Sequence, residues 1–154
     1  MIHESINIGR EANKFINKIN RHISNSVAEY GITGPQAHML NFIYDHSMKS
    51  DVMQKDIEKE FNIRRSTTTN ALQIMEKQGL ITRTGVSTDA RIKKVSLTKN
   101  GKEVQQIVSD NIHDSEIALR DALTKEEFEI LILVIIKLSG IFENELASKG
   151  FNQE

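Results

Sequence analysis

Apolar residues Ile8, Ala12, Phe15, Ile19, Ile23 and Val27 recur at steps of three and four. That spacing lines one face of an α-helix, so roughly the first thirty residues read as one long amphipathic helix closed by Gly31. Thr33-Gly34-Pro35-Gln36 opens a second helix, with Thr33 as cap, Gln36 reaching back and Pro35 in the first turn. Ala37, Leu40 and Ile43 carry its buried face. Asp51 with Gln54 repeats the capping pattern ahead of a short third helix on Met53, Ile57 and Phe61, and Asn62-Ile63 makes the turn after it. A fourth helix runs from about Arg65 to Gln78 with Thr68, Ala71, Leu72 and Met75 on one face, and Gly79 stops it.

Two short strands follow, Leu80 to Thr84 and Ile92 to Leu97, joined by Gly85-Val86-Ser87-Thr88-Asp89-Ala90-Arg91, a stretch with the turn formers of a hairpin. Thr98 then caps a fifth helix on Val104, Ile107, Val108, Ile112 and Leu119, ending near Ala122. The run from Ile130 to Ile136 has the composition of a buried strand, but its flanks favour a helix. Thr124-Lys125-Glu126-Glu127 is a capping box, and Phe128, Leu131, Ile135, Leu138 and Phe142 extend the apolar steps beyond the length of a strand. A helix apolar on nearly every side needs cover on several sides. An ordinary core helix is one reading. A subunit interface is favoured, because so small a chain offers few neighbours to cover it, and Ile8, Phe15 and Ile19 of the first helix join that candidate interface.

Helix, turn, polar-faced helix and basic hairpin is the order of a winged helix-turn-helix. With Thr68, Ala71, Leu72 and Met75 turned inward, Ser66, Asn70, Gln73 and Lys77 face outward, flanked by Thr67 and Thr69. Asn and Gln can bond adenine in two places, and Thr and Ser can bond base edges or phosphates. A merely solvated face would carry Glu and Lys instead. Charge follows the same pattern. The net charge is −1, yet from Phe61 to Lys102 nine cations stand against Glu76 and Asp89, a surplus of +7 that leaves −8 elsewhere. A basic middle in an acidic frame suits a polyanion, with ordinary solvated charge as the competing reading. Arg64 and Arg65 oppose the positive end of the helix dipole, a penalty that a phosphate nearby would reverse. Asp89 and Arg91, two apart on an extended strand, share a side and can pair, which would ready the guanidinium for a narrow minor groove while Lys93 and Lys94 meet phosphates. An exposed ion pair of little consequence is the alternative.

The run from Arg65 to Ile81, RSTTTNALQIMEKQGLI, then Asp89-Ala90-Arg91 and Val95-Ser96-Leu97-Thr98-Lys99-Asn100-Gly101, resembles the MarR family of transcriptional regulators. Its most specific parts are the Asp-x-Arg wing and the Ser-Leu-Thr-x-x-Gly after it. The resemblance implies a mainly α fold with a small β-hairpin wing, in which one MarR-like domain spans 1–154. Residues 33–99 would be the winged lobe, and 1–30 with 100–154 the helical dimerisation region. It also implies a homodimer on a pseudo-palindromic double-stranded operator, often a repressor released by a phenolic or other small anionic effector. Asn70 stands where many members carry Arg, which bears on operator preference. Some relatives sense zinc. His38 lies where one such histidine is expected, and His113 is its possible partner, whereas His3, His22 and His46 show no ligand spacing.

Composition narrows the alternatives. With no Cys, disulfides, thiolate chemistry and Cys-ligated metals are excluded. The sequence has no HExxH pair, Gly-rich phosphate loop or nucleophile elbow, so neither an enzyme nor a cofactor is expected. No apolar run reaches the roughly 20 residues of a membrane span, and the start lacks a signal-peptide order, so a cytoplasmic protein with no membrane partner is expected. The rival of another class is a winged helix that binds proteins and no DNA, which should expose an apolar patch where this chain is basic and polar.

Overall fold

The computed structural model describes residues 6–86 and 89–148, and of residues 89–91 and 144–148 the backbone alone. The described chain is mostly helical: α1 (Ile8–Ser26), α2 (Gly34–Ser47), α3 (Gln54–Phe61), α4 (Arg65–Lys77), α5 (Lys99–Asp121) and α6 (Lys125–Ser148). Three strands, β1 (Val52–Met53), β2 (Ile81–Val86) and β3 (Asp89–Leu97), form one antiparallel sheet in the order β1-β3-β2. Two compact units divide the chain at His113 and Asp114.

In the first unit the core gathers Ile23, Val27, Leu40, Ile43, Ile57, Leu72, Met75, Ile81, Val95 and Val104, with Thr68 buried among them. Apolar burial from every helix and strand of the lobe on one cluster is what fixes the angle between α3 and α4. The second helix begins as its sequence suggests. The Thr33 N–H donates to Gln36 Oε1 at 2.9 Å, and Gly34 N–H donates to Ser24 Oγ at 2.6 Å, tying the start of α2 to α1. Thr98 does more than cap α5. Its hydroxyl accepts the Gly101 N–H at 2.9 Å and donates to Gly79 O at 2.7 Å, while its own N–H donates to Leu80 O at 3.0 Å. A Cβ on Gly101 would run into that same Leu80 carbonyl oxygen, so the close approach of α5 to the turn after α4 requires glycine.

Several expectations change. The first helix closes at Ser26 instead of reaching Gly31. Val27 N–H turns back to Ser24 O, a 3₁₀ turn covers Ala28–Tyr30, and Gly31 takes the left-handed conformation with φ 69°. Only Ile23 and Val27 of its apolar stripe are buried, and Ile8 and Phe15 stay exposed. Asp51 does not cap the third helix. Val52 and Met53 are drawn into the sheet opposite Val95 and Lys94, so the helix starts later, with Asp56 Oδ2 accepting the Met53 N–H at 2.8 Å. The hairpin strands run further than their composition indicated and take in Gly85, Val86 and Asp89–Arg91. Ser87 and Thr88 of the expected connection lie outside the described residues.

In the second unit, the end of α5 turns into α6 through Ala122 and Leu123, whose N–H groups donate to Ala118 O and Arg120 O. Thr124 and Glu127 form the reciprocal cap: Thr124 N–H donates to Glu127 Oε2 at 2.9 Å, and Glu127 N–H donates to Thr124 Oγ1 at 3.2 Å. The Arg120 guanidinium lies 4.7 Å from the centre of the Phe128 ring. The helix reading of the Ile130 to Ile136 run therefore holds, and no described side chain of α6 is buried.

Candidate nucleic-acid interface

The thirteen residues of α4 present two unlike faces. Thr68, Ala71, Leu72 and Met75 are buried, and Ser66, Thr67, Asn70, Gln73 and Lys77 are exposed, as 100° per residue requires. Thr69 sits at the boundary, half-buried, and its Oγ1 accepts a bond of 2.9 Å from Gln54 Nε2. The same nitrogen reaches Glu58 Oε1 at 2.9 Å, so the first residue of α3 braces α4 from below. Arg64 caps α4 in extended conformation without a side-chain bond, and both Arg64 and Arg65 are exposed at the positive end of the helix.

The wing is joined to α4 by one strong contact. Arg83 of β2 donates to Glu76 Oε2 through Nη2 at 2.6 Å and Nε at 3.0 Å, and its backbone N–H donates to Oε1 at 3.3 Å. These bonds and the guanidinium charge hold the Glu76 carboxyl below the usual carboxylate range. Arg83 and Glu76 are thus paired inside the basic segment. Lys94 is paired too: its Nζ lies 2.5 Å from Asp51 Oδ1. Successive residues of a strand face opposite sides, and Lys93 accordingly lines a cleft toward α3 and α4 while Lys94 lines one with Tyr44, Ser47 and Asp51. The two lysines expected to act together are therefore separated by the sheet.

Asp89 and Arg91 both lie on β3, and Asp89 stands opposite Val86. Their expected ion pair lies outside the described side chains. His38 is half-buried on α2 and His113 exposed on α5, and among the described residues no three His, Asp or Glu side chains gather as a metal site. Of the apolar set expected at a subunit interface, Ile19, Phe128 and Leu138 are half-buried, and Ile8, Phe15, Leu131, Ile135 and Phe142 are exposed. Sequence reasoning gave Gln54 a capping role alone and missed both its bond to Thr69 and the Glu76–Arg83 brace. Neither has a local signal, because Gln54 meets Thr69 fifteen residues on and only a folded helix pair brings them together.

A helix-turn-helix followed by a three-stranded wing is the winged helix-turn-helix fold. Residues 30–92 match the MarR family model. Among solved structures, the MepR–DNA complex of S. aureus superposes with a TM-score of 0.81 at 22% identity, covering 90% of this chain and 99% of that one. A MarR protein from Peptoclostridium difficile gives 0.81 at 21% identity, with 96% and 95% covered. The regulator MarR from Oenococcus oeni gives 0.72 at 26% identity, with 87% and 99% covered. The winged-helix segment of this chain thus matches the MarR family, as the resemblance of its sequence implies, and the fold class, mainly helical with a small antiparallel wing, is that of the solved MarR regulators. Among the described residues no helix is long and apolar enough to cross a membrane.

Proposed function

We propose that the protein is a transcriptional regulator that binds a pseudo-palindromic operator as a homodimer. The observation that carries this reading is the exposed face of α4, where Ser66, Thr67, Asn70 and Gln73 stand between Arg64 and Arg65 at one end and Lys77 at the other. A helix of that length spans about 20 Å and fits a major groove about 12 Å wide, where amide and hydroxyl side chains can distinguish base pairs. Asn70 is assigned an adenine contact and Thr69 a thymine methyl. Arg64, Arg65, Lys77 and Lys93 are assigned phosphates, and Arg91, aligned by Asp89, the minor groove. Lys94, bonded to Asp51 and separated from Lys93 by the sheet, is assigned no phosphate.

Dimerisation is supported by α6, whose seven residues Ile130 to Ile136 are all exposed, with Leu133 at 66%. An apolar helix of this kind covered by a second copy gives an interface of the large obligate class, beyond about 2,000 Å². On this reading residues 33–99 grip DNA, and 1–30 with 100–154 hold the two lobes at a fixed separation. Half-sites should then lie about 10 bp apart or a multiple of that. Repression, with release by a phenolic or other anionic small molecule, is the mode we carry over from the family.

The test is a titration of the full chain against a labelled duplex from upstream of its own gene and a scrambled duplex of equal length, with and without salicylate. Two chains per upstream duplex, and affinity at least about 10³-fold above the scrambled one, are expected. Equal affinity for both, or none for either, refutes sequence-specific regulation.

A further inference from the structure

A duplex that places one protein element in its major groove and another in the adjacent minor groove must carry one sugar–phosphate strand between the two. Here those elements are α4 and the wing. Where α3 and the first residue of α4 face β3 of that wing lies a cleft of about 180 Å³ lined by Gln54, Lys55, Glu58, Arg65, Ile92 and Lys93. Its three cations come from three elements, α3, α4 and β3, and all are exposed. Among the described residues none of the three takes part in an ion pair. The one carboxylate in the lining, Glu58, is turned to Gln54 Nε2 by its 2.9 Å bond. Three cations against one carboxylate leave the cleft at +2. Ile92, 46% exposed, adds an apolar surface of the kind a deoxyribose ring can rest on. Cations gathered this way repel one another, against which Lys93 gains only a weak attraction to the Glu76 carboxylate.

We propose that this cleft is a phosphate clamp, seating one backbone phosphate of the bound duplex per protomer between Lys55 and Lys93, with Arg65 on its floor. The proposal rests on the DNA-binding reading above and adds Lys55 to its contacts. A phosphate held there ties α3, α4 and the wing to one point of the backbone, which sets the register of α4 in the major groove. It carries no sequence information itself.

The full chain and its Lys55→Gln, Lys93→Gln, double and Glu58→Gln variants are titrated with the upstream and scrambled duplexes between about 50 and 200 mM KCl. Each single lysine variant should weaken both duplexes by the same several-fold factor. The double variant should weaken them by less than the product of the two, since both ammonium groups serve one phosphate. Its salt slope should flatten by about 1.8 per dimer, one phosphate at about 0.9 for each of two clefts. Glu58→Gln should tighten both. Melting curves should be unchanged by the lysine variants, because both side chains are exposed. Wild-type affinity and slope for Lys55→Gln, or a fully multiplicative double variant, would overturn the clamp while leaving DNA binding intact. Failure of the wild type to bind either duplex would overturn the regulator reading, and the clamp with it.

Discussion

Replacing Glu76 with Gln keeps the shape of the α4–wing brace and one acceptor oxygen but removes its charge. Arg83 makes three bonds to this carboxylate, the shortest at 2.6 Å, and the side chains are 38% exposed for Glu76 and 19% for Arg83. A charge-assisted bond contributes about 1.5–3 kcal/mol and is roughly twice as strong as its neutral counterpart. Partial exposure screens part of that difference, so Glu76→Gln should cost about 1 kcal/mol. For a chain of this size that lowers the melting temperature by about 2–4 °C at fixed protein concentration. The pH dependence gives a sharper check. Arg83 holds the Glu76 carboxyl below its ordinary value of 4.5, so the stabilisation is fully present above that pH and is lost as pH falls through the lower folded value. Thermal melts of the wild type and Glu76→Gln should therefore differ at pH 7 and converge toward pH 3. Coincident melts at pH 7, or a gap undiminished at pH 3, would show that the brace contributes nothing through its charge.

Three further outcomes are expected. Gly101→Ala should destabilise the first unit by more than about 1 kcal/mol in urea unfolding, because the new Cβ meets the Leu80 carbonyl and parts α5 from the turn after α4. An unchanged midpoint would mean that the two backbones separate freely. Gln54→Ala should leave Thr69 without its 2.9 Å partner and lower the ratio of upstream to scrambled duplex affinity several-fold, with little effect on scrambled DNA. Equal loss on both duplexes would count against a role in positioning α4. Leu131→Asp, at an exposed α6 position, should sediment as a single chain at micromolar concentration and bind the operator far more weakly. A dimeric variant with parental affinity would move the interface elsewhere.

Helices were the most legible part of the fold because their apolar spacing and caps are local. The buried set of α4 follows from the positions of Thr68, Ala71, Leu72 and Met75 alone, and the Thr124 to Glu127 box separates a helix from a strand where composition points the wrong way. What depended on distant partners was not legible. Two residues are too few for strand periodicity, so β1 emerges only when Val52 meets Val95. Counting charges along the basic segment treats Lys93 and Lys94 alike, whereas alternation along β3 sends one toward α4 and the other to Asp51. The end of α1 was overextended because apolar steps continue through Val27 while the backbone has already tightened into a 3₁₀ turn. Of the candidate interface, the exposed face of α4 was readable, but the cleft made by Lys55, Arg65 and Lys93 joins residues from three separate elements.

The most direct test of base reading by α4 compares Asn70→Ala with the wild type on the upstream duplex and on its scrambled counterpart at one salt concentration. Asn70 is exposed on the outward face, so the fold should not respond to its loss. The upstream duplex should lose about 1–3 kcal/mol of binding and the scrambled duplex almost none, because the proposed bidentate contact to adenine would form on one of them only. Equal loss on the two duplexes would mean that Asn70 touches backbone alone, and no loss on either would contradict the placement of α4 in the major groove.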